Sequence, residues 1–256
     1  GLALLEGDGR LGPRHVHLQA KRDGTGFVLT GTKLLVAHAS SANALLCTAR
    51  TEEAALDGVT MLLVDANAPG VTRSPMENIA GGALDEVTFD EVRVPGEGVL
   101  GPVSRGWTTL SPALLRGAVL QTASIVGAAK AVLQMTNQYA KDREQFGRPI
   151  GSYQAVQYMV SDILIDLHGV DLLAKQAAYR IDSGKPFVRE AAIAVIEGKR
   201  AAAHLHRQAH EVYAGLGFMR DHDLNLFSRR SKHWENNLGD VRYYYQELAR
   251  EMGTAK

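Results

Sequence analysis

The chain has 256 residues, enough for one large domain or two ordinary ones with cores of their own. With 45% hydrophobic and 22% charged residues it has a globular composition, and its formal net charge of zero leaves no global field to hold nucleic acid or an anionic membrane. No apolar run reaches the roughly 18–20 residues of a membrane helix, and the lone cysteine, Cys47, excludes an intramolecular disulfide framework and suits a reducing, cytoplasmic compartment.

The first hundred residues read as β structure. Gly7-Asp8-Gly9-Arg10-Leu11-Gly12 matches the Gly-x-Gly-x-x-Gly spacing of dinucleotide-binding loops. That motif needs a helix directly after it, and Pro13 followed by His15-Val16-His17-Leu18 reads as loop and strand, so the match is rejected. Short runs rich in β-branched residues follow at Phe27–Thr30, Ala44–Thr48, Val59–Val64 and Glu86–Val94. Turn chemistry separates them at Asp23-Gly24-Thr25-Gly26, Pro69-Gly70 and Pro95-Gly96. Strands at this spacing without intervening helices predict an antiparallel barrel or sandwich. Cys47 sits in one of these runs and reads as a small buried hydrophobe.

From about Ser104 the pattern changes to helices. The first spans Trp107 to Lys141, with Pro112 near its start. A second fits Ser152 to Asp182, where Val156, Met159, Val160, Ile163, Leu167, Val170 and Ala174 recur at three- and four-residue steps. Ser183-Gly184-Lys185-Pro186 stops it, and a third fits Val188 to Ala214, closed by Gly215-Leu216-Gly217. A fourth runs from about Asp223 to Asn237 and a fifth from Asp240 to the end, Asp240 serving as an N-cap. Long helices with short links predict an antiparallel four-helix bundle, so the chain is an α+β, two-domain protein: 1–103 a β domain, 104–256 a helical domain. His206 and His210, with His204 close by, share a helical face, but no local carboxylate or cysteine completes a metal site; a partly exposed histidine pair is expected, and no metal. Arg220, Arg229, Arg230, Lys232 and His233 form a basic cluster expected to be solvated or salt-bridged.

The segment Asp142–Gln157, with Arg143, Gln145, Phe146, Gly147 and Gln154, resembles a signature of the acyl-CoA dehydrogenase family. There an Arg-x-x-Phe-Gly turn joins two long helices and a glutamine follows. Gly31-Thr32-Lys33, Val87–Pro95, Ala214-Gly215-Leu216-Gly217-Phe218 and Arg229-Arg230-Ser231-Lys232 resemble further pieces of that family, in the same order along the chain. The resemblance implies a middle β domain and a C-terminal helical bundle, with the family's N-terminal helical domain absent. It implies FAD shared across a subunit interface, an acyl-CoA substrate, a second subunit of the same type or a homo-oligomer, and an electron-transferring flavoprotein reached through the complex. The implied cofactor-binding residues are Arg143, Gln145, Phe146, Gly147, Gln154 and Gly215. Arg143 fits that role because a guanidinium offers planar, permanently charged donors to phosphate oxygens.

Other positions depart from the family. Hydroxyl donors to the flavin are replaced by Leu5 and Leu11, and an aromatic and a threonine by Leu35 and Ala37. No Asp or Glu occurs from Gly98 to Lys141, and the other position of the catalytic base is Leu238, before Gly239. No catalytic residue is therefore assigned. The preferred expectation is a non-catalytic subunit that completes a partner's FAD site, as in split α2β2 members acting on bulky acyl-CoA side chains. The alternatives are a self-sufficient homomeric dehydrogenase with an atypical base such as Asp240, and a non-enzymatic assembly protein reusing the fold.

Overall fold

The structure, a computed structural model, describes residues 1–52 and 58–253. The chain forms two compact units, Gly1–Leu114 and Leu115–Lys256.

The first unit is built on one eight-stranded sheet. Its strands are β1 (Leu2–Ala3), β2 (Gln19–Asp23), β3 (Gly26–Ala37), β4 (Ala44–Arg50), β5 (Val59–Asp65), β6 (Val71–Pro75), β7 (Leu84–Val94) and β8 (Val99–Leu100). Their order is β6-β7-β3-β2-β4-β5-β8, with β1 on β4. Pairing is antiparallel except at β1–β4 and β2–β4, so the sheet is mixed but mostly antiparallel. The strands expected from β-branched runs are present. Polar β2 and β6 escaped notice because nearly every side chain on them faces water, which erases the alternation that marks a half-buried strand. After Gly12 comes only a three-residue 3-10 turn, Pro13–His15, so no dinucleotide-type helix follows the glycine motif. The core joins Phe27, Leu29, Leu45, Cys47, Leu62, Val87 and Phe89. Cys47 is fully buried, and burial pushes its thiol up to about 12, which fits a packing role.

A buried ion pair crosses this core. Lys33 on β3 is 0% exposed and donates to Glu6 Oε1 (2.7 Å), Leu4 O (3.1 Å) and Thr48 Oγ1 (3.2 Å). Glu6 also accepts from the backbone N–H groups of His17 (2.9 Å) and Leu18 (3.1 Å). Both charges are thus solvated by the fold instead of by water.

The second unit is helical. Helix α1 (Gly106–Asp142) begins in the first unit and passes into the second; Pro112 lies in its second turn without ending it. Contrary to the composition-based expectation, α1 contains a stretch long and apolar enough to cross a bilayer; 44% of it is buried, as in a core helix. It is followed by a hairpin, β9 (Glu144–Gln145) and β10 (Arg148–Pro149), then α2 (Gln154–Asp182), α3 (Val188–Tyr213), α4 (Asp223–Asn236) and α5 (Val241–Glu251). The five-helix order agrees with the periodicity, α5 adding to the expected four-helix bundle. The last helix stops at Glu251; the expectation that it runs to the end reaches residues 254–256, outside the described residues. Asp240 caps α5 by accepting from Tyr243 N at 2.9 Å. Helix α3 packs against α2, α4 and α5, and Ala191, Ala194, Ala202 and Ala209 on it are buried, small enough for close approach. Ile163, Leu167 and Val170 of α2 meet Val126 and Val132 of α1 and Leu205 of α3 in one cluster.

Candidate functional site

The hairpin between α1 and α2 is held rigidly. Phe146 (φ 52°) and Gly147 (φ 79°) form its two-residue loop, both in the left-handed region, as the type I′ turn requires. Glycine takes that conformation freely; phenylalanine does so at a cost of about 1 kcal/mol. The Phe146 ring is also 94% exposed. Strain and exposed apolar surface thus coincide on one residue at the loop tip. Tyr153 donates its hydroxyl to Gln145 O (3.0 Å), the Arg148 guanidinium stacks 4.1 Å over the Tyr153 ring, and Ile150 N donates to Arg143 O (2.8 Å).

Beside the hairpin lies a groove of about 620 Å³. Arg143, Gln145, Phe146 and Tyr153 line it together with Tyr139, Tyr213, Gly215 and Leu216. Arg143 is exposed, and its guanidinium has no hydrogen-bond or ion-pair partner among the described residues. Glu211 adds a carboxylate to the lining. Tyr139 and Tyr213 stack with centroids 4.3 Å apart, and Tyr213 donates to Met135 O at 3.0 Å. Burial, then Tyr139 and Asp223, pushes the Tyr213 phenol up, so it stays protonated and acts as a donor. The 3-10 turn Ala214–Phe218 closes α3 here. A Cβ on Gly217 would stand 2.8 Å from His210 Nδ1, so glycine is needed there by packing.

Gly215 is different. A Cβ on it would meet nothing within 4 Å, and the residue is exposed in the groove. Gly215→Ala is therefore expected to leave the thermal midpoint within about 1 °C while weakening any ligand whose atoms approach that backbone. A several-degree loss on melting would show that the glycine serves the fold instead.

Of the residues proposed from sequence, Arg143, Gln145, Phe146 and Gly215 line the groove, and Gly147 supplies the turn beside it. Gln154 opens α2 as an exposed residue outside that lining. Tyr139, Tyr153 and Tyr213 were missed. Tyr153 sits within the quoted motif, but Tyr139 and Tyr213 come together only through the helix packing.

The positions that depart from the family motif are ordered without polar function. Leu11 is buried, Leu5 bridges Leu34 (N–O 2.8 Å), and Leu35 sits at φ 56° in a bulge between Lys33 and Val36, 40% exposed. In the helical unit, Leu238 (φ 57°) packs toward α1, its Cδ1 3.4 Å from where a Cβ on Gly117 would stand. Its carbonyl accepts from the Tyr244 hydroxyl. Lys199 Nζ donates to Trp234 O (2.6 Å) and Asn237 O (2.9 Å), satisfying carbonyls at the end of α4. Burial pulls the Lys199 ammonium down to about 8, against the opposing pull of Asp240 and Glu235. Those carboxylates are engaged: Asp240 caps α5 and pairs with Arg242 (3.0 Å), and Glu235 pairs with Lys232 (2.9 Å).

The histidines correct the sequence reading. His206 is buried, whereas His210 is half-buried, so one of the pair is partly exposed as expected and the other is not. A carboxylate does lie near: Asp166 on α2 meets His204 at 2.6 Å. Among the described residues no three metal-ligating side chains converge. Burial, then His210 and Lys232, pulls the His206 imidazole down to about 4. Below its ordinary value of 6.5 the unfolded chain takes up a proton that the folded one refuses, so stability falls as pH drops toward 4. This group contributes a loss of about 2 kcal/mol between pH 7 and pH 5, and His206→Leu should remove that share of the slope, leaving the part that His210 and His233 add. Urea unfolding at the two pH values checks this, and an equal slope in the variant would refute it.

Two family descriptions match the chain: "Acyl-CoA dehydrogenase, middle domain" over residues 5–92 and "Acyl-CoA dehydrogenase, C-terminal domain" over 104–237. The chain is 30% identical over 240 residues to a probable acyl-CoA dehydrogenase, YngJ, of Bacillus subtilis, covering 91% of this chain and 63% of that protein. It is 29% identical over 230 residues to acryloyl-CoA reductase (NADH) of Anaerotignum propionicum, covering 88% of this chain and 58% of that one. Among solved structures, a chain of the ChsE4-ChsE5 complex from Mycobacterium tuberculosis aligns at 29% identity and TM-score 0.86, covering all of this chain and 66% of that one. The chain thus spans 58–63% of the length of these two curated relatives.

Proposed function

Because the chain belongs to the acyl-CoA dehydrogenase family, we propose that it is a non-catalytic subunit that completes the FAD site of a partner chain. The observation that carries this reading is the pair of contrasting sites in the helical unit. Arg143 offers an uncommitted guanidinium beside a groove, whereas the position of the family's base holds Leu238, packed toward Gly117. A leucine cannot abstract a proton, and Asp240 is committed as a helix cap.

The residues present fit the nucleotide half of FAD. A groove of about 620 Å³ is of ligand size, with an aromatic tip, an open glycine and a cation that has no partner among the described residues. In this role Arg143 neutralises the pyrophosphate, Phe146 covers the adenine, and Gly215 lets backbone approach the ligand. Gln145 and Gln154 supply amide donors and acceptors at the rim. Glu211 also lines the groove and would repel a phosphate brought close to it. FAD, when bound, supplies the hydride acceptor for α,β-dehydrogenation of an acyl-CoA thioester. The proton-abstracting carboxylate and the flavin-ring hydroxyls belong, in this reading, to the partner, and electrons leave the complex to an electron-transferring flavoprotein.

Purification of the chain alone, and then of its complex with the partner from the native source, tests the proposal. Flavin absorbance should be absent from the chain alone and stoichiometric in the complex. Stoichiometric flavin in the isolated chain, bleached by acyl-CoA, would sink it.

A further inference from the structure

The turn Ala214–Phe218 brings Gly215 to the groove, and its first residue is strained. Ala214 stands at φ 50° and ψ −136°, a combination that glycine adopts freely and that a Cβ makes costly. Such a residue keeps its shape only where its surroundings over-determine it. Here the restraints converge on His210, one turn earlier on α3. The Ala214 N–H donates to His210 O. The Phe218 ring stacks on the imidazole with centroids 4.7 Å apart. Gly217 lies so close to Nδ1 that a Cβ on it would stand 2.8 Å away. The other ring nitrogen, Nε2, meets Ser228 Oγ of α4 at 2.6 Å. His210 thus ties both ends of the turn to α4 without lining the groove itself.

The partners fix the proton. Ser228 donates its single hydroxyl hydrogen to Leu224 O (2.9 Å), so its oxygen accepts from His210 and Nε2 carries the hydrogen. Nδ1 is then a bare lone pair, buried and without a hydrogen-bond partner among the described residues. A second proton there would be a buried donor against Gly217 with no acceptor. The turn itself has no ionisable side chain. His222 on the link to α4 and His206 one turn back on α3 both oppose a proton at His210, and Lys232 of α4 stands by His206. Asp223, the first residue of α4, bears on Tyr213, and Glu211 lines the groove. Burial, then His222, accordingly holds the imidazole below its ordinary 6.5.

We propose that neutral His210 is a positioning residue: through Ser228, Gly217, Phe218 and the Ala214 N–H it holds the strained 214–218 turn, and with it Gly215, in the shape that receives the ligand. Proton uptake at Nδ1 releases the turn. The inference rests on the flavin reading only for the identity of that ligand.

Hydrogen exchange of the 214–219 amides in the full chain, corrected for the intrinsic pH dependence of exchange, tests the clamp. Below pH 6.5 the open turn takes up a proton that the closed one refuses, so protection should fall by up to about 10-fold per pH unit. At neutral pH His210→Leu should lose about 5–10-fold of the protection, and its pH dependence should flatten. His210→Gln, whose amide keeps a donor for Ser228, should retain more protection but show the same flattening. Ala214→Gly added to His210→Leu should restore much of the loss, because the strain to be resisted is gone. In the assembled complex the FAD dissociation constant of His210→Leu should rise by about as much as its protection falls. Should His210→Leu not fold, the flattening in His210→Gln decides alone. Unchanged exchange, an Nδ1–H tautomer by nitrogen NMR, or no rescue by Ala214→Gly would overturn the clamp. Faster exchange with unaltered FAD affinity would uphold the clamp and overturn the assignment of the turn to flavin.

Discussion

Glu6→Ala is expected to lower the stability of the sheet unit by about 3–5 kcal/mol, measured by urea unfolding. The substitution strips Lys33, 0% exposed, of its one carboxylate partner among the described residues and leaves Leu4 O and Thr48 Oγ1 to solvate a buried ammonium. It also frees the N–H groups of His17 and Leu18, each an additional desolvation penalty. Coupling follows from the geometry. Adding Lys33→Met to Glu6→Ala removes the orphaned charge and should recover at least half of the loss, as expected for side chains in direct contact. A single-variant cost under about 1 kcal/mol would show that water reaches the pair, and additive costs would show that the two residues act separately.

Arg143→Ala should reduce the FAD affinity of the assembled complex by about 10–100-fold, the loss of one or two charge-assisted hydrogen bonds at roughly 1.5–3 kcal/mol. The stability of the chain itself should not change, because the guanidinium has no partner within it among the described residues. Arg143→Lys should fall between, since an ammonium keeps the charge but loses the planar fork. Flavin content per complex, with the melting temperature of the isolated variant, separates the outcomes. Unchanged flavin in the complex would favour an assembly protein that has reused the fold.

The helices were legible because their apolar residues repeat over several turns; Ile163, Leu167 and Val170 are buried as their spacing implies. The hairpin was legible as a motif, but its strain was not, because the left-handed backbone at Phe146 is a property of the turn and not of the residue type. The Tyr139–Tyr213 stack joins residues far apart in sequence, and no local pattern announces it. Glu6 and Lys33 escaped for a related reason: charges read one at a time look like surface, and the two residues meet only across a long stretch of sequence. The exposure of His206 was misjudged because helical spacing gives a shared face without saying whether that face meets water.

The rigid hairpin has a kinetic consequence. Its tip is fixed by Tyr153, Arg148 and Ile150 before any partner arrives, so its conformational entropy is lost during folding. In the proposed complex, docking then demands little further ordering of this loop, and encounter between subunits is limited by how often two patches meet in the correct orientation. The heat capacity of association should accordingly report apolar burial at the tip, with no folding contribution from the loop.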